Sequence, residues 1–262
     1  MKGNLCFFLL LIAFTDMNAQ QRGDPKLTEI WSPVPKVITP GKSVTNDPPS
    51  DAIILFREKK DTINWGGKKS NRFNWKADDN SLTVVPFAED AEYSAEEKQK
   101  NTVQGLQTKQ SFGDCQLHIE WRTPAEVKGD GQSRGNSGVL FMGRYELQIL
   151  DSYNNPTYSN GQAGSVYKQY MPMVNVCRPP GEWQTFDVIF TAPRFYPDSM
   201  LKSPARITVF QNGVLIQNNV DLWGSMQFIG VSKYEMHAAK EPLLLQDHRN
   251  TTSFRNIWIR EL

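Results

Sequence analysis

An all-β domain, a sandwich or a barrel, is the fold class that the sequence predicts. Three observations carry it. About a dozen short apolar or alternating runs follow one another between residues 51 and 262, at the close spacing of strands joined by turns. Hardly any stretch repeats its apolar residues with a helical period. In "ARITVFQNGVLIQNNV", Asn212-Gly213 sits between two such runs and supplies the positive φ values of a two-residue type I′ turn. The 262-residue chain is 39% hydrophobic, enough for a sizeable core. Its formal charge is +1 and it has no basic run with interleaved aromatics, so nothing points to nucleic acid or an anionic membrane.

The elements follow in order. Lys2 precedes the apolar run "LCFFLLLIAF", and a small residue, Ala19, closes it. This reads as a secretory signal peptide, residues 1–19. The run is too short to span a bilayer, and Cys6 lies inside it, badly placed for a lipoprotein anchor. No later segment could cross a membrane, so the expected location is periplasmic or secreted. Residues 20–50 are rich in Pro, Ser, Lys and Asp and read as an extended segment. The domain is expected over residues 51–262, with "AIILF" as its first strand. "DDNS" turns the chain between short β segments. Residues 88–102 are acidic and read as a surface insertion. "CQLHIEW" places Cys115, Leu117, Ile119 and Trp121 on one face, and Gln116, His118 and Glu120 on a solvated one. Export permits a bridge between Cys115 and Cys177, but Cys115 reads as a buried free thiol. "GVLFMG" is fully apolar and reads as central. "EWQTFDVIFTAP" alternates, and "EPLLLQDH" and "SFRNIWIREL" close the chain.

"GRYELQILDSYNNP" carries the chemistry. Alternation sends Arg144, Glu146 and Gln148 to one face and Tyr145, Leu147 and Ile149 to the other. The first face holds one acid and one amide. A retaining glycosidase wants two carboxylates ~5–5.5 Å apart, which this pattern does not offer. Asp151 has the opposite parity. It can join them only through a bulge or by lying past the strand end, and it could equally make an Asx turn or ligate Ca²⁺. "GDGQSRGNSG" could also hold structural Ca²⁺ through its backbone and Asp130, although it lacks the spaced acids of an EF-hand. Arg134 and Asn136 could instead reach a sugar from the rim. Among three histidines, His248 ends an apolar strand and Gln246 shares its face; His237 reads as an exposed loop residue. An unperturbed pKa of ~6.5 suits His248 to general base work. Tyr153 and Tyr167 could stack on a sugar, whereas Trp183 and Trp258 read as core. No Ser-His-Asp triad, P-loop or dinucleotide fingerprint is present.

"GNSGVLFMGRYELQILDSYNNPTYSNGQAGSVY", "VNVCRPPGEWQTFDVIFTAPRF", "PARITVFQNGVLIQNNV" and "LLLQDHRNTTSFRNIWIREL" occur in the order found in the DUF1080 or 3-keto-disaccharide hydrolase family, which this chain resembles from about residue 51 to its C-terminus. The resemblance implies a concanavalin-like jelly roll of two antiparallel sheets with a curved sugar-binding face, in exported bacterial proteins of which some cleave 3-keto-glycosides. Two positions depart from the family: Cys115 replaces a frequent aromatic, and Lys168 stands where relatives often carry a small or amide residue.

A C3 ketone acidifies the C2 proton of a sugar. Its removal lets the aglycone leave C1 by β-elimination, and water then adds back. Such a site needs a base, a donor for the enolate oxygen and an acid for the leaving oxygen. The expected catalytic set is His248, Glu146 and Asp151, with Arg144, Gln148, Gln246, Lys168, Tyr167, Arg134 and Asn136 binding substrate. A sugar 3-dehydrogenase is the expected pathway partner. The alternatives are a lectin-like module using the same face without chemistry and, more weakly, a conventional glucanase.

Overall fold

The computed structural model describes residues 23–37, 47–68, 73–86 and 104–262. The signal-peptide reading and the acidic insertion at 88–102 lie outside the described residues. Two antiparallel sheets stack face to face, a jelly-roll-like sandwich. The smaller sheet runs Trp65–Gly67, Gln104–Phe112, Glu241–Asp247, Ser137–Phe141, Tyr145–Ile149. The larger runs Val214–Asp221, Arg206–Gln211, Gln184–Thr191, Cys115–Arg122, Ser253–Glu261, Leu82–Thr83, Lys76–Ala77, with Ile53–Phe56 also paired to Ser253–Glu261. The helical pieces among the described residues are short 3-10 turns.

Alternation decides what the sheets bury between them. Tyr145, Leu147 and Ile149 join the core together with Val139, Phe141, Leu243 and Leu245. From the larger sheet come Leu117, Ile119, Trp121, Phe186, Val188 and Phe190. The apolar strand Ser137–Phe141 is interior, paired on both sides. Asn212 and Gly213 adopt φ of 52° and 79°, as the type I′ turn requires. Cys115 and Cys177 are free and buried, and burial pushes their thiols up to about 12 and about 11.

Four expectations need correction. His118 is fully buried rather than on a solvated face. Trp258 from the neighbouring strand stacks on its ring at 5.3 Å, and Asp187 meets its Nδ1 at 2.7 Å. Trp258 is itself buried, but beside His118 on the outer side of the larger sheet. Trp183 is half-buried between the guanidinium groups of Arg255 and Arg122, 4.1 and 4.6 Å from its ring centre. The His237 side chain is buried, with Nε2 2.6 Å from the Tyr145 hydroxyl. In each case a partner distant in sequence supplies the cover.

Residues 23–37 pack against the domain. Lys36–Val37 pairs in parallel with Val174–Asn175, and Trp31 meets the Tyr158 ring edge-on at 6.3 Å.

Candidate active site

Cross-strand register places the polar residues of the smaller sheet. Glu146 lies opposite Leu140 and Gln148 opposite Gly138; Leu140 in turn lies opposite Leu244. These residues share the face turned from the core, and Gln246 and His248 have the parity of Leu244. Lys68 follows one edge strand and Arg144 precedes the other, yet the Arg144 charge contributes to lowering the Lys68 pKa, after desolvation.

Glu146 is the unusual group. It is 4% exposed, and burial alone pushes its carboxyl up to about 8. No cation among the described residues compensates it, so it is mostly protonated at neutral pH. Gly138 makes room for it: a Cβ there would stand 2.5 Å from Glu146 Oε1. The Gln148 amide lies beside it. Four oxygens surround it: Gln132 Oε1 at 3.2 Å, Asn136 Oδ1 at 3.3 Å, Ser137 O at 3.1 Å and Glu146 Oε1 at 3.2 Å. Its two N–H groups can serve only two of them. The Gln132 amide nitrogen donates to Gly161 O at 2.9 Å and Thr157 Oγ1 at 3.0 Å. With its amide turned, Gln148 donates to Ser137 O and to Glu146 Oε1.

The segment after Gly161 seals the sheet edge. Gln148 N–H donates to Ser165 O, and Tyr167 N–H to Glu146 O. That pairing brings Tyr167 beside Glu146 and Tyr158 beside Tyr167, with their hydroxyls 2.9 Å apart. Burial raises both phenols, Tyr158 to about 12, and the nearby Glu146 adds to each shift. Both therefore stay protonated, and one of their two hydroxyl protons is free to be donated outside the pair.

The other expected residues take varied positions. His248 is exposed at the end of its strand, with its pKa lowered by desolvation first and by Arg249 in lesser part. It is four residues past Leu244 and two strands from Glu146, so about 13 Å along the sheet and about 10 Å across it separate their backbones. The two do not hydrogen-bond to each other across that separation. Gln246 is buried on the same face, and its Oε1 has no partner among the described residues. Asn136 is buried beside Gln148.

Asp151, Arg134, Arg144 and Lys168 are already occupied. Arg134 Nε donates to Asp151 Oδ2 at 2.6 Å, and Tyr153 N–H donates to Asp151 Oδ1 at 3.1 Å. Asp151 thus makes the Asx turn, and a Ca²⁺ ion on its carboxylate would have to displace a guanidinium. Among the described residues, no three His, Cys, Asp or Glu side chains are grouped to share a metal ion. Arg134 also donates to the Tyr153 carbonyl at 2.9 Å, bracing the 151–155 loop. Arg144 forks onto Glu241 at 2.7 and 3.2 Å rather than pairing Glu146. Lys168 Nζ donates to the carbonyls of Pro25 and Phe228, both at 2.8 Å. Tyr158 and Asn160 escaped the sequence reading because the irregular run 151–170 has no period to place them, and Gln132 because it lies in the Gly-rich loop before Ser137–Phe141.

The model of the 3-keto-alpha-glucoside-1,2-lyase-like domain matches residues 51–260. No curated protein matches the chain. A solved structure of a candidate glycosyl hydrolase from Parabacteroides distasonis is similar, at 43% identity and a TM-score of 0.73, over 90% of this chain and 96% of that one. A second candidate glycosyl hydrolase from the same organism shares the fold at 18% identity and a TM-score of 0.56, over 80% of this chain and 94% of that one. With four-fifths of its length matched by the family model, the chain belongs to the 3-keto-alpha-glucoside-1,2-lyase-like family and is a hydrolase- or lyase-type enzyme acting on glycosidic substrates.

Proposed function

We propose that this enzyme cleaves 3-keto-glycosides by elimination and hydration, with His248 as the base at C2 and Glu146 as the acid at the leaving oxygen. The observation that carries the reading is the protonation state of Glu146. A carboxyl held neutral up to about 8 can give a proton at neutral pH, which an ordinary carboxylate cannot. His248, with its pKa lowered, is the matching neutral base.

His248 takes the C2 proton, and the electron pair forms the C1–C2 double bond conjugated with the C3 ketone. The C1–O bond breaks, and the aglycone oxygen takes the Glu146 proton. Water then adds its oxygen to C1 and a proton to C2. The free hydroxyl proton of the Tyr158–Tyr167 pair suits the enolate oxygen. Gln148, Gln246 and Asn136 offer amides to sugar hydroxyls. The substrate requires a prior oxidation at C3, so a sugar 3-dehydrogenase acts upstream, and the chain works after export to the periplasm or beyond.

The test is turnover of a 3-keto-glucoside in D₂O. Deuterium at C2 of the released sugar is expected. Released aglycone with an unlabelled C2 sinks elimination in favour of direct displacement at C1. Binding without release of aglycone would make the protein the lectin-like module.

A further inference from the structure

A cavity of about 190 Å³ adjoins Lys168, walled on one side by residues 27–30 and on the other by Trp223 and residues 230–232. We propose that this cavity is the leaving-group subsite, built jointly by the N-terminal segment and the 223–232 loop, and that it takes apolar, ring-bearing aglycones. The proposal rests on the reading of Glu146 as the acid at the leaving oxygen.

The wall formed by the N-terminal segment is held by fixed partners. Asn160 is fully buried; its Nδ2 donates to Thr28 O at 3.0 Å and its Oδ1 accepts from Ile30 N–H at 3.1 Å. Ser159, equally buried, donates its N–H to Ile30 O at 2.6 Å and its hydroxyl to Pro33 O at 2.8 Å. Lys168 ties Pro25 to Phe228, so one side chain joins the two walls. Buried polar side chains that would otherwise lack partners thus specify where this segment docks.

Chemistry and position then point to the occupant. Leu27, Trp223 and Val231 are 82%, 45% and 70% exposed around the cavity, an apolar cluster that a sugar-filled surface groove does not require. Trp223 is a fixed platform: its indole N–H donates to Tyr170 Oη and its backbone N–H to Gln169 Oε1, each at 2.7 Å. Thr28, Glu29, Lys168 and Ser232 supply the polar part of the lining. Two of the three Lys168 protons already serve carbonyls and Glu29 Oε2 accepts from the Trp31 indole, so the ring platform and the aliphatic side chains are what remain to select the occupant. Lys168 Nζ lies 5.5 and 5.9 Å from the rings of Tyr158 and Tyr167, which flank Glu146. A leaving oxygen protonated by Glu146 thus directs its substituent toward this cavity.

The experiment compares phenyl and methyl 3-keto-glucosides on full-length Trp223→Ala, Leu27→Asp and Trp223→Phe. Trp223→Ala and Leu27→Asp should each raise KM for the phenyl substrate at least tenfold and leave the methyl substrate within twofold. Trp223→Phe, which keeps a ring, should retain most of the phenyl preference and reports on folding. Equal losses on both substrates, or no loss on the phenyl one, overturn the subsite. Calorimetric binding of unoxidised phenyl glucoside separates this outcome from failure of the proposed reaction. If neither keto-sugar turns over, phenyl glucoside should still bind the unmodified protein more tightly than Trp223→Ala; equal binding, or none, overturns the subsite on its own.

Discussion

The two outward faces of the sandwich each bury an ionisable group, and they handle it in opposite ways. On the larger sheet, burial would drive the His118 proton off, but hydrogen bonds to Asp187 and Glu120 outweigh it and hold the pKa up at about 9. Burial likewise opposes the Glu120 charge, yet hydrogen bonds from His118, Asn256 and Arg255 bring its pKa down to about 2. On the smaller sheet, Glu146 meets burial with no compensating cation among the described residues, and Gly138 clears space for it. A buried charge with its partners in place is a structural element. A buried acid left uncompensated costs stability, and such a cost is usually kept where chemistry needs it.

The sharpest way to break this comparison is to neutralise each group in turn. Glu146→Gln should lower kcat by ~10²–10⁴, the scale of a positioned acid, and His248→Gln should act similarly. His118→Gln should leave kcat within twofold. It should instead cost about 2–4 kcal/mol of stability by chemical denaturation, below the full value for a broken buried pair because Asp187 is partly exposed. If His118→Gln proved the inactive variant and Glu146→Gln the active one, the roles of the two faces would be reversed.

A pH–rate profile sharpens the same contrast. With His248 as base and Glu146 as acid, kcat/KM needs His248 neutral and Glu146 protonated. The plateau should therefore lie between the lowered His248 pKa and about 8. Glu146→Gln should remove the alkaline limb from the residual activity, and His248→Gln the acidic limb. A limb that stays put assigns its ionisation to another group.

Gly138→Ala tests the space rather than the charge. The added methyl would also lie 3.1 Å from Glu146 Cγ and Cδ, so the carboxyl must move. A fall in kcat of about tenfold is expected, since displacing a catalytic group by a fraction of an ångström is felt in the rate. An unchanged rate would mean that the carboxyl position is not used.

How far these faces were legible follows from what each needed. The split of Arg144, Glu146 and Gln148 from Tyr145, Leu147 and Ile149 is a period of two, and the turn at Asn212-Gly213 is chemistry local to two residues. Both can be read along the chain. The burial of His118 depends on Asp187 and Trp258, 69 and 140 residues away, which only register brings together. Arg134 and Lys168 looked like binding groups because a lone cation in a loop shows no partner in sequence; their partners are Asp151 and two backbone carbonyls. The docking of residues 23–37 was hidden for the same reason: main-chain carbonyls have no side-chain signature.

The remaining test concerns stability alone and needs no substrate. The native state holds the Glu146 proton up to about 8, while an unfolded chain releases it near 4.5. Between those values the native state binds more protons than the unfolded one, so this carboxyl makes stability fall as pH rises, by at most about 1.4 kcal/mol per pH unit. Above about 8 the penalty stops growing. Glutamine keeps the shape and cannot ionise, so Glu146→Gln should match the parent in thermal stability near pH 4 and exceed it increasingly toward pH 8. His118 has the same sign in another window: its contribution is fully present below 6.5 and lost as pH rises through about 9. It remains in the Glu146→Gln protein, so the difference between parent and variant isolates the one carboxyl. Parallel melting curves for the two proteins across pH 4–8 would show Glu146 ionising normally, and would remove the acid on which the proposed reaction depends.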